Sequence, residues 1–170
     1  MPKNERVTTD FNFFETHFNG FRPFEIAAVA QQGYLITDPE VLQTIEEVEQ
    51  YAKQYAIING VQSITMIYKS MHRAYNGDNP AAYLLPEDTS VLHRYNRDLS
   101  RISSSEMQLL LSEDKRYGRI SATLSDAGTD SIRMVQSEIQ QYINKLPNQE
   151  KVQFTITGTG IIFDKNTQYL

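Results

Sequence analysis

Apolar residues recur at every second position in some segments, as in strands, and at every third or fourth position in others, as in helices. The order strand, helix, strand occurs twice along the chain. In the first unit, residues 24–30 form a short apolar run typical of a strand, and a helix with one apolar face follows. Asp38 can cap this helix, with Pro39 at its first position, where a missing N–H costs no hydrogen bond. The Asn-Gly pair at 59–60 is predicted to end the helical region, and residues 61–65 to form the return strand. The apolar face of the helix consists of Val41, Leu42, Ile45, Val48, Ala52 and Tyr55.

The second unit repeats this order of elements. Residues 119–124 and 152–157 alternate between apolar and polar, as half-buried strands do. Between them, Asp130 or Thr129 is predicted to cap a helix, and Pro147 is predicted to stop it. The apolar face of this helix consists of Ile132, Val135, Ile139, Ile143 and Leu146. Two such units predict an α+β fold of the ferredoxin-like split β-α-β type, with two helices on one face of a four-stranded, mostly antiparallel sheet.

The two units are separated by an insert of about residues 66–117. Residues 66–75 are predicted to form a helix, and residues 86–90 to start another. Residues 107–111 fit either a helical turn or a strand, and the pattern leaves both open. Because the insert is too ordered in pattern to be a linker, residues 1–170 are predicted to form a single domain.

Composition and charge exclude several classes of partner. The 170 residues carry a net charge of −5, which argues against nucleic acid and against a polybasic contact with anionic lipid. There is no cysteine, so disulfides and thiolate metal sites are excluded. No run approaches the roughly 18 apolar residues that cross a bilayer. The polar start lacks a signal peptide, which alone suggests a cytoplasmic protein, although a loop excised from a membrane protein would look the same.

Metal and cofactor motifs are not found in the sequence. His17, His72 and His93 lie in separate predicted elements and outside the spacings of zinc sites. The glycines at 158–160 follow a strand, but Phe163 stands where a dinucleotide fingerprint has its third glycine. We therefore predict no metal site and no cofactor, and interpret these glycines as a tight turn.

Catalytic motifs are likewise not found. Glu46, Glu47 and Glu49 fall largely on the polar side of the first helix, where they are predicted to face solvent. A pair of carboxylates facing each other in a cleft cannot be read from a sequence, and no Gly-x-Ser-x-Gly elbow occurs. We therefore predict that the chain is not an enzyme and has no catalytic residues.

Aromatic residues are concentrated in residues 11–24, and methionine and tyrosine recur in the first helix of the insert. One interpretation is core packing, in which the phenylalanines close one edge of the sheet. The other is an apolar wall for amphiphilic cargo, because aromatic and methionine surfaces bind apolar molecules of varied shape. The candidate cargo-contacting residues are Phe13, Phe14, Phe18, Met66, Tyr68, Met71 and Tyr75.

Short motifs follow one another in an order that resembles a known family. Residues 13–15 (Phe-Phe-Glu) and 20–25 (Gly-Phe-Arg-Pro-Phe-Glu) are similar to the block that opens an extracytoplasmic domain in MMPL-type exporters of the RND (resistance-nodulation-division) superfamily. The other similar segments keep the family's order over nearly the whole chain: residues 2–7, 35–42, 60–64, 79–86, 119–124 and 157–160. The chain departs from the family pattern at Asn19, where glycine is common, and at Gly160, where alanine is.

The resemblance implies a periplasmic, porter-type domain of a proton-driven exporter in a bacterial inner membrane, with lipid or another amphiphile as cargo. Its partners would be the remainder of the same transporter, namely the membrane helices and the other extracytoplasmic loop. The proton-coupling carboxylates of the family lie in membrane helices that this chain does not contain. Two alternatives stay open: a free-standing soluble ligand-binding or scaffold module with the same fold, and an enzyme whose site is assembled only in space.

Overall fold

The computed structural model describes residues 22–101 and 105–157, apart from the side chain of Glu106. In these residues, four strands form one sheet, accompanied by four helices of at least 11 residues and one of four residues. The strands are β1 (Arg22–Ala30), β2 (Ile58–Gln62), β3 (Tyr117–Leu124) and β4 (Val152–Thr157). The helices are α1 (Pro39–Ala52), α2 (Thr65–Tyr75), α3 (Thr89–Leu99), α4 (Ser105–Gln108) and α5 (Thr129–Asn144), with a 3₁₀ turn at Pro80–Ala82.

The sheet has the strand order β2-β3-β1-β4, and every neighbouring pair is antiparallel. On β1, Ile26 lies opposite Ile120 of β3 and Ile156 of β4. Alternate residues of the strands are buried on one face, where they share a single core with the apolar faces of α1 and α5. The predicted α+β fold of the ferredoxin-like type is thereby confirmed.

The return strand of the first unit lies earlier than predicted. It spans Ile58–Gln62 in place of the predicted residues 61–65, and the Asn59-Gly60 pair lies inside it. The pairing of β2 with β3 is irregular between Asn59 and Gln62, and Gly60 has a φ of 62°, which glycine adopts without strain. The Asn-Gly pair is therefore a break within a strand, where the sequence suggested the end of a helical region.

The helix starts agree only in part with the predicted caps. Asp38 precedes α1 as predicted, but its carboxylate accepts a hydrogen bond from the backbone N–H of Leu35 (2.8 Å) and none from the helix. In the second unit the prediction of Thr129 or Asp130 as the cap is wrong. Gly128, with a φ of 77°, holds that position, and both residues lie in the first turn of α5.

The insert is helical, as predicted, and its helices contribute to the common core. The predicted helix at 66–75 is α2, and the second helix is α3, where the Asp88 carboxylate caps the start by accepting from the N–H of Ser90 at 2.8 Å. Residues 107–111 contain both predicted alternatives, because α4 ends at Gln108 and Leu111 forms a bridge to Gly118 of β3. The insert residues Tyr68, Leu92 and Tyr95 are fully buried in the core.

Candidate functional site

A groove of about 290 Å³ lies on the face of the sheet opposite to the core that the described strands share with α1 and α5. The strands contribute side chains from the alternate positions that point away from the helices, including Glu25 and Ala27 of β1 and Arg119 of β3. The wall beside them comes from the segment after α4. The residues that line the groove are Glu25, Ala27, Gln108, Leu109, Leu110, Leu111, Ser112, Tyr117, Gly118, Arg119 and Thr157.

Backbone hydrogen bonds fix the wall segment beside β3. The N–H of Arg119 donates to the carbonyl of Leu110, and the N–H of Ser112 donates to the carbonyl of Tyr117, both at 2.9 Å. The turn that joins the two is closed by Asp114, whose carboxylate accepts from the Ser112 hydroxyl at 2.6 Å. This short hairpin places Ser112 opposite Tyr117 and Leu111 opposite Gly118, and Leu109 lines the same groove from the start of the wall segment.

Apolar surface and charge lie side by side in the groove. Leu109 and Tyr117 are 64% and 57% exposed and both line the groove. Arg119 lies 3.8 Å from Glu25, and both side chains are partly exposed. Such a site can hold an apolar chain against the leucine and the tyrosine while a charged head remains near Arg119. No motif in the sequence indicates this groove, because its residues come from three strands, the end of α4 and the loop that follows it.

The structure does not bring the sequence-predicted cargo residues together. Phe13, Phe14 and Phe18 lie outside the described residues. The other four follow one another along α2 with very different exposure: Met66 and Met71 are half-buried, Tyr68 is fully buried and Tyr75 is 56% exposed. Tyr68 thus lies in the core, where it has no exposed surface for contact with cargo. None of the four lines the groove on the sheet.

Tyr75 belongs to a small aromatic cluster on the surface of the insert. Its ring stacks on Tyr95, with centroids 5.2 Å apart and planes 7° apart, and the Arg94 guanidinium lies 5.5 Å from the Tyr75 centroid. The Tyr75 hydroxyl donates to the carboxylate of Asp98 at 2.7 Å, and this bond is the main reason why the pKa of Tyr75 is raised. These contacts hold the exposed ring in one orientation.

A second polar cluster lies under the insert, centred on Glu49 of α1. Glu49 is only 2% exposed, so its predicted position on the solvated face is wrong, whereas Glu47 is exposed. Its carboxylate accepts from the hydroxyls of Ser63 (2.8 Å) and Thr65 (2.5 Å). The ammonium groups of Lys69 (3.3 Å) and Lys53 also donate to it.

This cluster attaches the insert to the β-α-β core. Lys69 of α2 is 5% exposed and also pairs with Glu46 at 2.5 Å. Burial alone would raise the pKa of Glu49. The hydrogen bonds that its carboxylate accepts and the nearby charge of Lys69 have the larger effect together, so that pKa lies below its usual value. Burial alone would lower the pKa of Lys69, but Glu46 and Glu49 together leave that pKa above its usual value. Both groups are therefore charged at neutral pH, and each compensates the buried charge of the other.

The described residues contain neither a cluster of metal ligands nor a membrane-spanning helix. Within residues 22–101 and 105–157, no three His, Cys, Asp or Glu side chains are grouped as a metal ion requires. His72 Nδ1 lies 2.9 Å from the Tyr95 hydroxyl, and His93 is exposed on α3. No helix in this part of the chain has the length and apolarity needed to cross a membrane.

No protein-family model matches the chain, and a comparison with curated proteins finds no significant match. Function is therefore inferred from the order of the motifs in the sequence and from the geometry of the fold and the groove.

Proposed function

We propose that this chain is a porter-like extracytoplasmic domain of a proton-driven MMPL-type exporter of the RND superfamily, and that it contacts lipid or another amphiphilic cargo. The observation that carries the proposal is the run of family-like motifs, of which Phe-Phe-Glu at 13–15 and Arg-Pro-Phe-Glu at 22–25 are the most distinctive. Each motif is short, but their order and spacing are kept over nearly the whole chain. A function of this kind requires no catalytic residue.

The relative direction of the first and last described strands supports the proposal. β1 begins at Arg22 and β4 ends at Thr157, and the antiparallel register places Glu25 opposite Thr157. Within the described residues, the start of β1 and the end of β4 therefore lie at the same end of the sheet. A domain carried between two helices of one membrane needs this arrangement, because both of its connections must run toward the same bilayer.

The groove on the sheet provides a surface that suits amphiphilic cargo. Leu109 and Tyr117 offer exposed apolar surface, and Arg119 offers a cation within the same groove. The ion pair between Arg119 and Glu25 is long, at 3.8 Å, and exposed ion pairs contribute little to stability. Arg119 can therefore exchange Glu25 for the anionic head of a ligand at small cost.

Binding of a single-chain phospholipid tests the cargo surface. We expect lysophosphatidylglycerol, below its micelle concentration, to bind with a Kd of about 1 mM and to shift the NMR signals of the Leu109 methyls and of the Arg119 backbone amide. Leu109→Ser should weaken binding about fivefold, because roughly 1 kcal/mol of apolar contact is lost. The matched control is Leu84→Ser, since Leu84 is 47% exposed and lies outside the groove.

Two results would contradict the assignment of the groove. If all side-chain signals stay unmoved throughout the titration, the domain does not bind amphiphiles. If the Leu84 and Leu109 variants weaken binding equally, contact with the ligand is unspecific. Shifts confined to the methyl groups of Met66 and Met71 would place the cargo surface on α2 and would remove it from the sheet.

The genomic reading frame tests the exporter itself. We expect apolar segments of about 18 or more residues, encoded in the same frame, on both sides of the segment that encodes residues 1–170. Sequencing of the flanking DNA checks this directly. A gene without such segments would refute the exporter and would favour the free-standing ligand-binding module, for which the phospholipid titration remains the relevant assay.

A further inference from the structure

The two edges of the sheet differ in how well they are protected from further strand pairing. β2 forms one edge and is short and irregular, with Gly60 at its break. β4 forms the other edge and keeps one uninterrupted register with β1 over its six residues. Its sequence, Val-Gln-Phe-Thr-Ile-Thr, contains no charge, proline or glycine. Natural proteins normally protect a free edge with one of these features, so an edge that lacks them is available for pairing with another strand.

The hydrogen-bond register shows which backbone groups of β4 face away from β1. The N–H of Gln31 donates to the carbonyl of Lys151 at 2.8 Å, so the odd-numbered residues from 151 to 157 face β1. The even-numbered residues 152, 154 and 156 therefore direct their N–H and C=O groups to the opposite side, where no described strand pairs with them. One of these donors is already used, because the N–H of Val152 donates to the carbonyl of Asn148 at 3.1 Å.

The surface along this edge is concave and almost uncharged. Two shallow grooves, of about 190 and 320 Å³, follow the edge between β4 and a stripe of α5. Amide, hydroxyl and apolar side chains predominate, and Arg133 is the one charged residue in these linings. On the β4 side these linings consist of Val152, Gln153, Phe154, Thr155 and Ile156.

We propose that β4 pairs antiparallel with β4 of a second copy of this chain, so that the two sheets continue as one sheet across a twofold axis at Phe154. In this register Phe154 lies opposite its own copy, and Val152 lies opposite Ile156 of the second copy. The two Phe154 residues exchange two hydrogen bonds, and each Ile156 N–H donates to a Val152 carbonyl. The four bonds require no donor from Val152, whose N–H is already bonded to Asn148.

A second copy of β4 is a better partner for β4 than any other described strand. β1 and β3 are paired on both sides, and β2 is irregular. An edge without charges also lets two copies approach, although each chain has a net charge of −5. The register brings Gln153 directly opposite Thr155 of the second copy, in the non-hydrogen-bonded pairs, in which side chains are closest. Both side chains are exposed in the single chain, so substitutions there leave the core unchanged.

Sedimentation velocity of the full chain over a dilution series tests the proposal. We expect a dimer that dissociates on dilution. The double substitution Gln153→Lys with Thr155→Lys places two pairs of like charges across the axis and should weaken the dimer about tenfold. The matched variant Gln153→Lys with Thr155→Glu places opposite charges in the same pairs and should dimerise at least as tightly as the unsubstituted chain.

The comparison of the two variants is specific to the register. A chain that stays monomeric at every concentration overturns the proposal, and so does a dimer that responds equally to both variants. Thermal unfolding of each variant shows whether the fold is retained, and loss of the dimer without loss of the fold supports the proposal. The measured quantity is the sedimentation coefficient, so the outcome is independent of cargo binding and of the flanking DNA.

Discussion

Replacing Glu49 by Gln is expected to lower the free energy of unfolding by about 3–5 kcal/mol, the usual loss when one partner of a buried ion pair is removed. Glu49 is 2% exposed and receives hydrogen bonds from Ser63, Thr65 and Lys69. Without the carboxylate, the ammonium of Lys69 stays buried with Glu46 as its one remaining anionic partner. Urea denaturation measures the loss.

The control is Glu47→Gln on the exposed side of the same helix, which should change the stability by less than about 0.5 kcal/mol. The double variant Glu49→Gln with Lys69→Met should lose less than the sum of the single losses, because it also removes the buried cation that has lost one of its two carboxylate partners. A loss below about 1 kcal/mol for Glu49→Gln would show that the buried pair does not hold the insert.

The contribution of this pair also depends on pH. The folded pKa of Glu49 lies below its usual value of 4.5, so its contribution is present above that pH and is lost as the pH falls. The folded pKa of Lys69 lies above its usual value of 10.5, so its contribution is present below that pH and is lost as the pH rises. The stability difference between the unsubstituted chain and Glu49→Gln should therefore be constant near neutral pH and should shrink on strong acidification. A difference unchanged in acid would contradict the pairing.

Replacing Tyr68 by Ala is expected to cost about 3–5 kcal/mol, as for other large aromatic residues in a core. Tyr68 lies on α2 and its ring is fully buried in the common core. Its hydroxyl donates to the side-chain oxygen of Asn96 on α3. Asn96 in turn donates to the carbonyl of Thr37 at 2.8 Å. The substitution therefore leaves a cavity and removes the hydrogen bond between Tyr68 and Asn96 that joins α2 to α3. Thermal and urea unfolding measure the loss.

Two further variants separate packing from cargo contact. Tyr68→Phe removes only the hydroxyl and should cost about 1–3 kcal/mol, since the oxygen of Asn96 loses its donor. Tyr75→Ala, at a residue that is 56% exposed, should cost about 1 kcal/mol through the lost stacking on Tyr95. Equal losses for Tyr68→Ala and Tyr75→Ala would refute the core assignment. Lost phospholipid binding in Tyr68→Phe at unchanged stability would make Tyr68 a cargo contact.

The strands and helices that bury one face were predictable, because burial on one side imposes a period that local sequence records. β1 and β3 show this clearly, with Phe24, Ile26, Ile120 and Leu124 all turned to the same core. The predicted position of β2 was too late in the sequence, because an Asn-Gly pair usually ends an element. Here the pair lies inside β2, where the pairing with β3 is irregular. The periodicity of a short strand cannot distinguish these cases.

The candidate sites were much less accessible from the sequence. Glu49 lies four residues after Ile45 and seven after Leu42, so its helical position borders the apolar face of α1 and already indicated burial. Its polar partners come from the β2–α2 connection and from α2, and the sequence does not show them: Ser63, Thr65 and Lys69. Leu109 reads as part of an apolar run, and only the pairing of its segment with β3 makes it part of a groove. Contacts of this kind depend on tertiary packing, which a single sequence does not record.

The position of β1 in the sheet has a consequence for how the chain reaches its native state during synthesis. β1 is the first described strand to leave the ribosome, yet it pairs only with β3 and β4, which begin at Tyr117 and Val152. Pairings between segments so distant in sequence form slowly, because a long loop must close first. We therefore expect nascent chains shorter than about residue 124 to expose the apolar face of β1 and to depend on chaperones until β3 is complete.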